Sequence, residues 1–258
     1  MKRERAVAII QARMGSHRFT GKTLADVCGR PLLGRVIDRL RPCTEIDDIV
    51  VATTTRPEDR TVVDFAIAED VLAITGDADD VLDRYLRAAQ SAAAEIIVRI
   101  CADDPLKDPA IVDLVVHALR DDPELDYASN TIRPTFPEGQ DVEAVRMSAL
   151  ARAWDEARRP SEREHVTPYI INHPDRFKLK NVENDEDLSA LRWTLDYPAD
   201  LEFTREIYAR MPSDGLFSMR DTLDLLARHP EFAALNSGIR RNEGYLDSVD
   251  RETRGTSQ

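Results

Sequence analysis

Residues 11–22, Q-A-R-M-G-S-H-R-F-T-G-K, gather Arg13, Gly15, Ser16, Arg18, Gly21 and Lys22 in one short span. Glycines let successive backbone N–H groups turn toward an anion, and the three cationic side chains supply charge that a triphosphate requires. Gly15, Gly21, Gly29 and Gly34 cluster in a chain that has only 10 glycines in 258 residues, so backbone freedom is concentrated here. Farther along, I-I-V-R-I-C-A-D-D-P carries Asp103 and Asp104, and L-R-W-T-L-D-Y-P-A-D carries Asp196 and Asp200. Mg²⁺ takes a carboxylate or two together with phosphate oxygens and waters, so such acids beside a phosphate loop suffice for chemistry on a nucleotide.

Plainer readings stand beside these. Glycine with charge also makes ordinary surface turns, and an Asp just before a Pro commonly turns the chain or caps a helix. Asp200 suits a helix start, where its charge meets the dipole, and Asp104 reads as a bystander. Gly21-Lys22-Thr23 matches the end of a P-loop, G-x-x-x-x-G-K-[ST], but its first glycine would fall on Ser16, with Gly15 one position early. A P-loop wraps phosphates with a fixed number of N–H groups, so that spacing argues against it.

The elements that must position these residues form an alternating pattern. Short apolar runs at 6–10, 49–53, 71–74 and 95–100 read as strands buried on both faces, and amphipathic stretches near 32–41, 57–68, 79–93 and 108–120 read as crossover helices. The fold class is therefore α/β, with a mixed, mostly parallel sheet flanked by helices. The phosphate loop directly follows the first strand, and ligands of open α/β sheets sit beyond the carboxyl ends of the strands. Further strands are expected at 125–130, 142–147, 178–182 and 190–195, and helices at 148–158, 162–172, 199–210 and 219–228. One domain, 1–236, with an elaboration over about 125–190, would precede a polar and partly ordered tail, 237–258.

The helix opened by D-A-D-D-V-L-D-R-Y puts Val81, Leu82, Tyr85 and Leu86 on one apolar face. Asp80 and Arg84 lie four apart on another, which by itself reads as a surface ion pair. Between 130 and 165 lie Arg133, Glu138, Gln140, Asp141, Glu143, Arg163, Glu164 and His165, more polar function than a connecting strand pair needs. S-E-R-E-H also reads as the first turn of a helix, with His165 a satisfied helix residue.

Composition narrows the classes. With 48 acidic and 35 basic side chains the formal charge is −13, which argues against a broad nucleic-acid surface. Lysine occurs only at 2, 22, 107, 178 and 180, so the positive charge is mostly arginine, as in a GC-rich genome or, with the acidity, a high-salt cytoplasm. No apolar run reaches the roughly 18 residues of a spanning helix, and the run at 6–10 is too short for a signal peptide; a cytoplasmic protein without membrane contact is expected. Cys28, Cys43 and Cys101 show no C-x-x-C and no ligand spacing, and read as reduced packing residues.

I-I-Q-A-R-M-G-S-H-R-F-T-G-K-T-L followed by C-G-R-P-L-L-G-R-V-I resembles the opening of the cytidylyltransferases related to spore-coat polysaccharide synthesis, a family akin to acylneuraminate and Kdo cytidylyltransferases. The likeness continues through A-T-T-T, D-D-V-L-D-R-Y, T-F-P-E-G-Q-D-V-E, S-E-R-E-H-V-T-P-Y-I, E-N-D-E-D-L-S-x-L-R-W-T-L-D-Y-P and N-E-G-Y-L, from residue 9 to about 246. Two departures are Phe19-Thr20 for the family's Leu-Pro, and Ala102-Asp103-Asp104-Pro105 for Gly-Asp-Cys-Pro. Without the proline, the loop is less constrained.

The resemblance implies a Rossmann-like nucleotide-diphospho-sugar transferase fold. It also implies a reaction of CTP with a nonulosonic or Kdo-like sugar acid, giving the CMP-sugar and pyrophosphate for surface glycans. Arg13, Gly15, Ser16, Arg18 and Lys22 would hold the phosphates, and Asp103 and Asp196 the Mg²⁺. Thr53, Asp80 and Arg84 would lie near the nucleoside, and Glu143, Arg163 and His165 would face the acceptor. The segment with the acceptor residues could also form a homodimer contact. A sugar phosphate or phosphonate acceptor, a γ-phosphate-transferring kinase and an inactive CTP-binding regulator are the alternatives.

Overall fold

Strand β1 (Ala6–Gln11) is apolar at nearly every position and lies inside the sheet, third of its seven strands. The computed structural model describes residues 3–16, 18–212, 214–236, 238–239, 241 and 243–255. After β1 come helix α1 (Leu32–Leu40), β2 (Asp48–Thr54), α2 (Arg60–Ala68), β3 (Leu72–Gly76), α3 (Val81–Ser91), β4 (Ile96–Cys101) and α4 (Pro109–Arg120). The later elements are β5 (Tyr127–Ser129), β6 (Glu143–Arg146), α5 (Met147–Glu156), α6 (Pro160–His165), α7 (Pro168–Ile171), β7 (Leu179–Asn181), α8 (Pro198–Tyr208), α9 (Met219–Arg228), α10 (Pro230–Ala233) and α11 (Glu243–Gly255).

The seven strands run in the order β3-β2-β1-β4-β6-β5-β7. All neighbours pair in parallel except β6, which is antiparallel to both β4 and β5. Side-chain alternation assigns the faces: Ala6, Ala8 and Ile10 enter one core with α1, α2 and α4, while Val7 and Ile9 enter the other with α3 and α5. Burial on both faces explains why these strands read as unbroken apolar runs. A third cluster packs Trp193 and Leu195 against α8 and α9. Among the described residues no helix is long and apolar enough to cross a membrane.

Three expectations differ from what is observed. The stretch 190–195 is not a strand: it makes one isolated bridge, Glu138 with Arg192, and otherwise runs as loop against the third core. The helix expected at 162–172 is broken into α6 and α7, because Val166 adopts φ 74° and Pro168 has no N–H to continue the helical hydrogen bonds. In the segment expected to be a partly ordered tail, residues 243–255 form α11, which packs on α6; 237, 240, 242 and 256–258 lie outside the described residues.

Candidate active site

The sheet reverses direction of travel at its centre. From β1 the chain moves outward through β2 to β3, then returns to place β4 on the other side of β1. Loops leaving such a switch point diverge and open a crevice at the carboxyl ends of the strands. Gln11 stands in register with Cys101, so the glycine-rich loop after β1 and the Asp103 loop after β4 leave the sheet side by side.

The glycine-rich loop is held by its own short contacts. Gly21 has φ 76°, a conformation that a side chain would strain. It brings the Gly21 N–H onto the Met14 carbonyl at 3.0 Å. The Thr23 hydroxyl donates to the Arg13 carbonyl at 2.6 Å, and the Met14 N–H donates to the buried Asp59 carboxylate at 2.6 Å. Asp59 also takes the Thr54 hydroxyl, so the end of β2 braces the loop after β1. The Ser16 N–H is engaged by the Met14 carbonyl at 3.0 Å, and would have to turn to meet an anion.

Lys22 is the centre of the site. Its ammonium directs hydrogen bonds to Asp103 Oδ2 at 2.7 Å, Asp196 Oδ1 at 2.8 Å and the Leu195 carbonyl at 3.0 Å, using all its donors. The Leu195 N–H donates to the Asp103 carbonyl at 2.8 Å, which ties the two acidic segments together. Two arginines also hold Asp196: Arg18 at 2.7 Å and Arg192 at 3.2 Å. Asp200 accepts the Asp196 and Tyr197 N–H groups, each at 2.8 Å, and so seats Asp196 at the start of α8. Burial opposes the charge on Asp196, but Lys22 and Arg18 outweigh it and hold the carboxyl well below its usual range. Burial likewise opposes the charge on Lys22, and Asp103 and Asp196 overturn that and raise it.

Two carboxylates meeting at one cation give the hard-oxygen set that a divalent metal ion takes, so Asp103 and Asp196 fit such an ion. Cys101, Asp103 and Asp104 also cluster within 4.8 Å. Burial pushes the Cys101 thiol up to about 12, so it stays protonated, and Asp104 turns to Lys107 at 3.0 Å. Asp103 is left as that cluster's available donor.

A cleft of about 1060 Å³ opens over this point, lined by Arg13, Gly15, Ser16, Arg18, Lys22, Asp80, Asp103, Arg163 and His165, all proposed from sequence. Arg56, Arg99, Arg158 and Arg251 line it as well. They come from four distant segments and carry no local motif, so nothing in the sequence marked them. A second cavity of about 370 Å³ adjoins at Asp103 and His165, and Glu143, Asp196 and Tyr245 line it.

Thr53 and Arg84 need correction, because neither lines these cavities. Strand β2 runs on to Thr54, so Thr53 is a wholly buried strand residue paired with Thr75 rather than part of a polar turn. Arg84 is also wholly buried: its stem crosses Gly76 and its guanidinium donates to the Asp77 and Ala78 carbonyls, bracing the loop that carries Asp80. The Asp80–Arg84 ion pair does not form. Asp80 caps α3 through the Asp83 N–H at 2.9 Å and pairs with Arg163, which places Arg163 on the large cleft rather than in the second cavity.

Glu143 is buried in the wall of the second cavity, bound by Arg99, Thr167 and the Tyr127 hydroxyl at 2.6 Å. Burial works against its charge, and these partners keep its carboxyl ionised and lowered. His165 borders both cavities. Its Nε2 lies 3.0 Å from Ser248 Oγ, and burial, reinforced by Arg99, lowers the imidazole to about 4.

A mostly parallel sheet with this loop at its switch point and paired acids beside it defines a Rossmann-like nucleotidyltransferase. The chain matches the family model described as cytidylyltransferase over residues 7–219 and belongs to that family. It is similar to the spore coat polysaccharide biosynthesis protein SpsF of Bacillus subtilis, 29% identical over 87% of this chain and 95% of that protein. A 3-deoxy-manno-octulosonate cytidylyltransferase of Anaeromyxobacter sp. is 35% identical over about half of each chain, 52% and 53%. The solved structure of a cytidylyltransferase from Leptospira borgpetersenii superposes with a TM-score of 0.86 at 31% identity, covering 92% of this chain and all of that one.

Proposed function

We propose that the protein transfers CMP from CTP to a hydroxyl of a sugar acid and releases pyrophosphate, with Mg²⁺ as the assisting ion. The observation that carries this reading is the meeting of Lys22, Asp103 and Asp196 at the junction of a large arginine-rich cleft and a smaller cavity. The large cleft suits the nucleotide. Arg13, Arg18 and the loop at Gly15 would grip the β- and γ-phosphates there, and Asp80 and Arg163 would border the nucleoside. The smaller cavity suits the acceptor, with Glu143 and His165 in its wall.

The acceptor oxygen attacks the α-phosphorus, a new P–O bond forms, and the bond to the β-phosphate oxygen breaks as pyrophosphate leaves. A divalent ion on Asp103 and Asp196 would supply charge neutralisation at the α-phosphate. Lys22 would turn its charge to the departing pyrophosphate, while the cavity walls hold the acceptor oxygen in line. The proton of the attacking hydroxyl passes to a carboxylate of the junction or to solvent. We place the reaction in the cytoplasm and the chain in a homodimer that uses the 125–190 segment, which sedimentation would check.

Pyrophosphate release measured for the four ribonucleoside triphosphates against sugar acids and sugar phosphates tests the assignment. Release with CTP and a sugar acid is expected. Appearance of CDP instead would make the protein a kinase, and CTP binding without any release would make it a regulator.

A further inference from the structure

The smaller cavity has a roof that the reaction does not by itself call for. Glu243, Gly244 and Tyr245, the first turn of α11, line it. The Tyr245 ring stands edge-on to the His165 imidazole, with centroids 5.2 Å apart and planes at 85°. Three contacts hold the helix turns on either side of that ring. The Tyr197 hydroxyl donates to Glu243 at 2.5 Å, and the Ser248 hydroxyl bridges His165 and Glu164 at 3.0 and 2.9 Å. Farther along α11, Glu252 accepts from the Ser161 hydroxyl at 2.9 Å.

The walls have a definite chemistry. Asp103, Asp104, Glu138, Asp141, Glu143 and Asp196 all line the cavity, while Arg99 is committed to Glu143. Ionised carboxylates accept hydrogen bonds and give none. Burial pushes Asp104 up to about 7, and the other five are each held by Lys22, Arg192, Arg241 or Arg99, so what the walls offer is spare acceptor oxygens, which favour a ligand rich in hydroxyl donors. A sugar acid's single carboxylate can face the cationic side of the junction, where Arg18 stands 2.7 Å from Asp196. Among the described lining residues Tyr245 presents the only phenyl-type ring. The electron-rich face of such a ring attracts the slightly positive C–H face of a pyranose and shields it from water.

We infer that Tyr245 is a specificity-determining residue of the acceptor cavity, its ring being the platform on which a hydroxyl-rich sugar ring lies. This rests on the reading of that cavity as the acceptor site. On this account the C-terminal helix is part of the site, and its polar pins to Tyr197, Ser161 and His165 set the height of the roof.

Calorimetry on the full chain tests it, with Mg²⁺ and a non-hydrolysable CTP analogue present, and with 3-deoxy-manno-octulosonate and N-acetylneuraminate as probes. Tyr245→Ala should weaken the better probe at least tenfold, Tyr245→Phe should stay within twofold, and the analogue's own affinity should hold within twofold in both. Equal sugar-acid binding by wild type and Tyr245→Ala overturns the inference, as does no sugar-acid binding by wild type or an equal loss of the CTP analogue in a variant still folded by circular dichroism. Pyrophosphate release separates the two ideas. Release by Tyr245→Ala with an unchanged acceptor KM sinks the platform and keeps the transferase. Probe binding that needs Tyr245, in a wild type that releases nothing, keeps the platform and sinks the transferase.

Discussion

The ammonium of Lys22 stands 2.8 Å from the carboxylate of Asp196, a residue 174 positions further along the chain. The same ammonium holds Asp103 at 2.7 Å. A tethered cation thus occupies the point where two acids converge, and a divalent ion on those acids would compete with it.

Removing charge from either acid should disable the transfer without unfolding the protein. Asp103→Asn and Asp196→Asn should each lower turnover at least about 100-fold, the scale of losing one main stabiliser of transition-state charge. Asp104→Asn should act differently, since Asp104 is buried against Lys107. Its melting temperature should fall while turnover per folded molecule stays within a few fold. Wild-type turnover by Asp103→Asn at saturating Mg²⁺ would remove that acid from the site.

Lys22 is expected to matter twice. Lys22→Met should bind Mn²⁺ more tightly than wild type when no nucleotide is present, because the competing ammonium is gone. The same variant should bind CTP more weakly, and CMP with little change, because the lost charge faces the β- and γ-phosphates. Paramagnetic resonance reads the first effect and calorimetry the second. Unchanged Mn²⁺ affinity would show that the ammonium and the ion occupy different places.

His165 should make stability depend on pH. Burial lowers its folded value to about 4 from an ordinary 6.5, so between those values the unfolded chain binds more protons. The contribution is complete above 6.5 and is lost as pH falls toward 4. Urea midpoints should therefore drop on acidification from pH about 7 to about 5, and the drop should be smaller in His165→Asn. Parallel pH profiles for the two proteins would show that the imidazole titrates alike in the folded and unfolded chain, and so is not lowered by the fold.

The parts of this site that could be read from sequence are those that depend on neighbours along the chain. The unbroken apolar runs of β1, β2 and β4 record burial on both faces, and the glycine and cation spacing at 13–22 records a loop built from its own backbone. What depends on distant segments was not legible. Arg84 looked like a surface partner of Asp80, yet Asp80 pairs with Arg163, 83 residues away, and Arg84 turns inward to the carbonyls of its own loop. Residues 191–196 alternate like a strand, but Trp193 is drawn into a core made by α8 and α9. The motif N-E-G-Y-L was visible, but its placement over His165 follows from the packing of α11 on α6, a contact between segments far apart in the chain.

Phosphorus NMR of the wild-type protein with CTP, Mg²⁺ and a sugar acid reports which bond of the triphosphate breaks, and so separates CMP transfer from every other reaction of CTP. The account predicts that the three CTP resonances decay together while inorganic pyrophosphate and one new phosphodiester signal grow in equal amounts, with no change in Asp103→Asn or Asp196→Asn. Formation of CDP, or a CTP spectrum that stays intact with every sugar acid supplied, would contradict it.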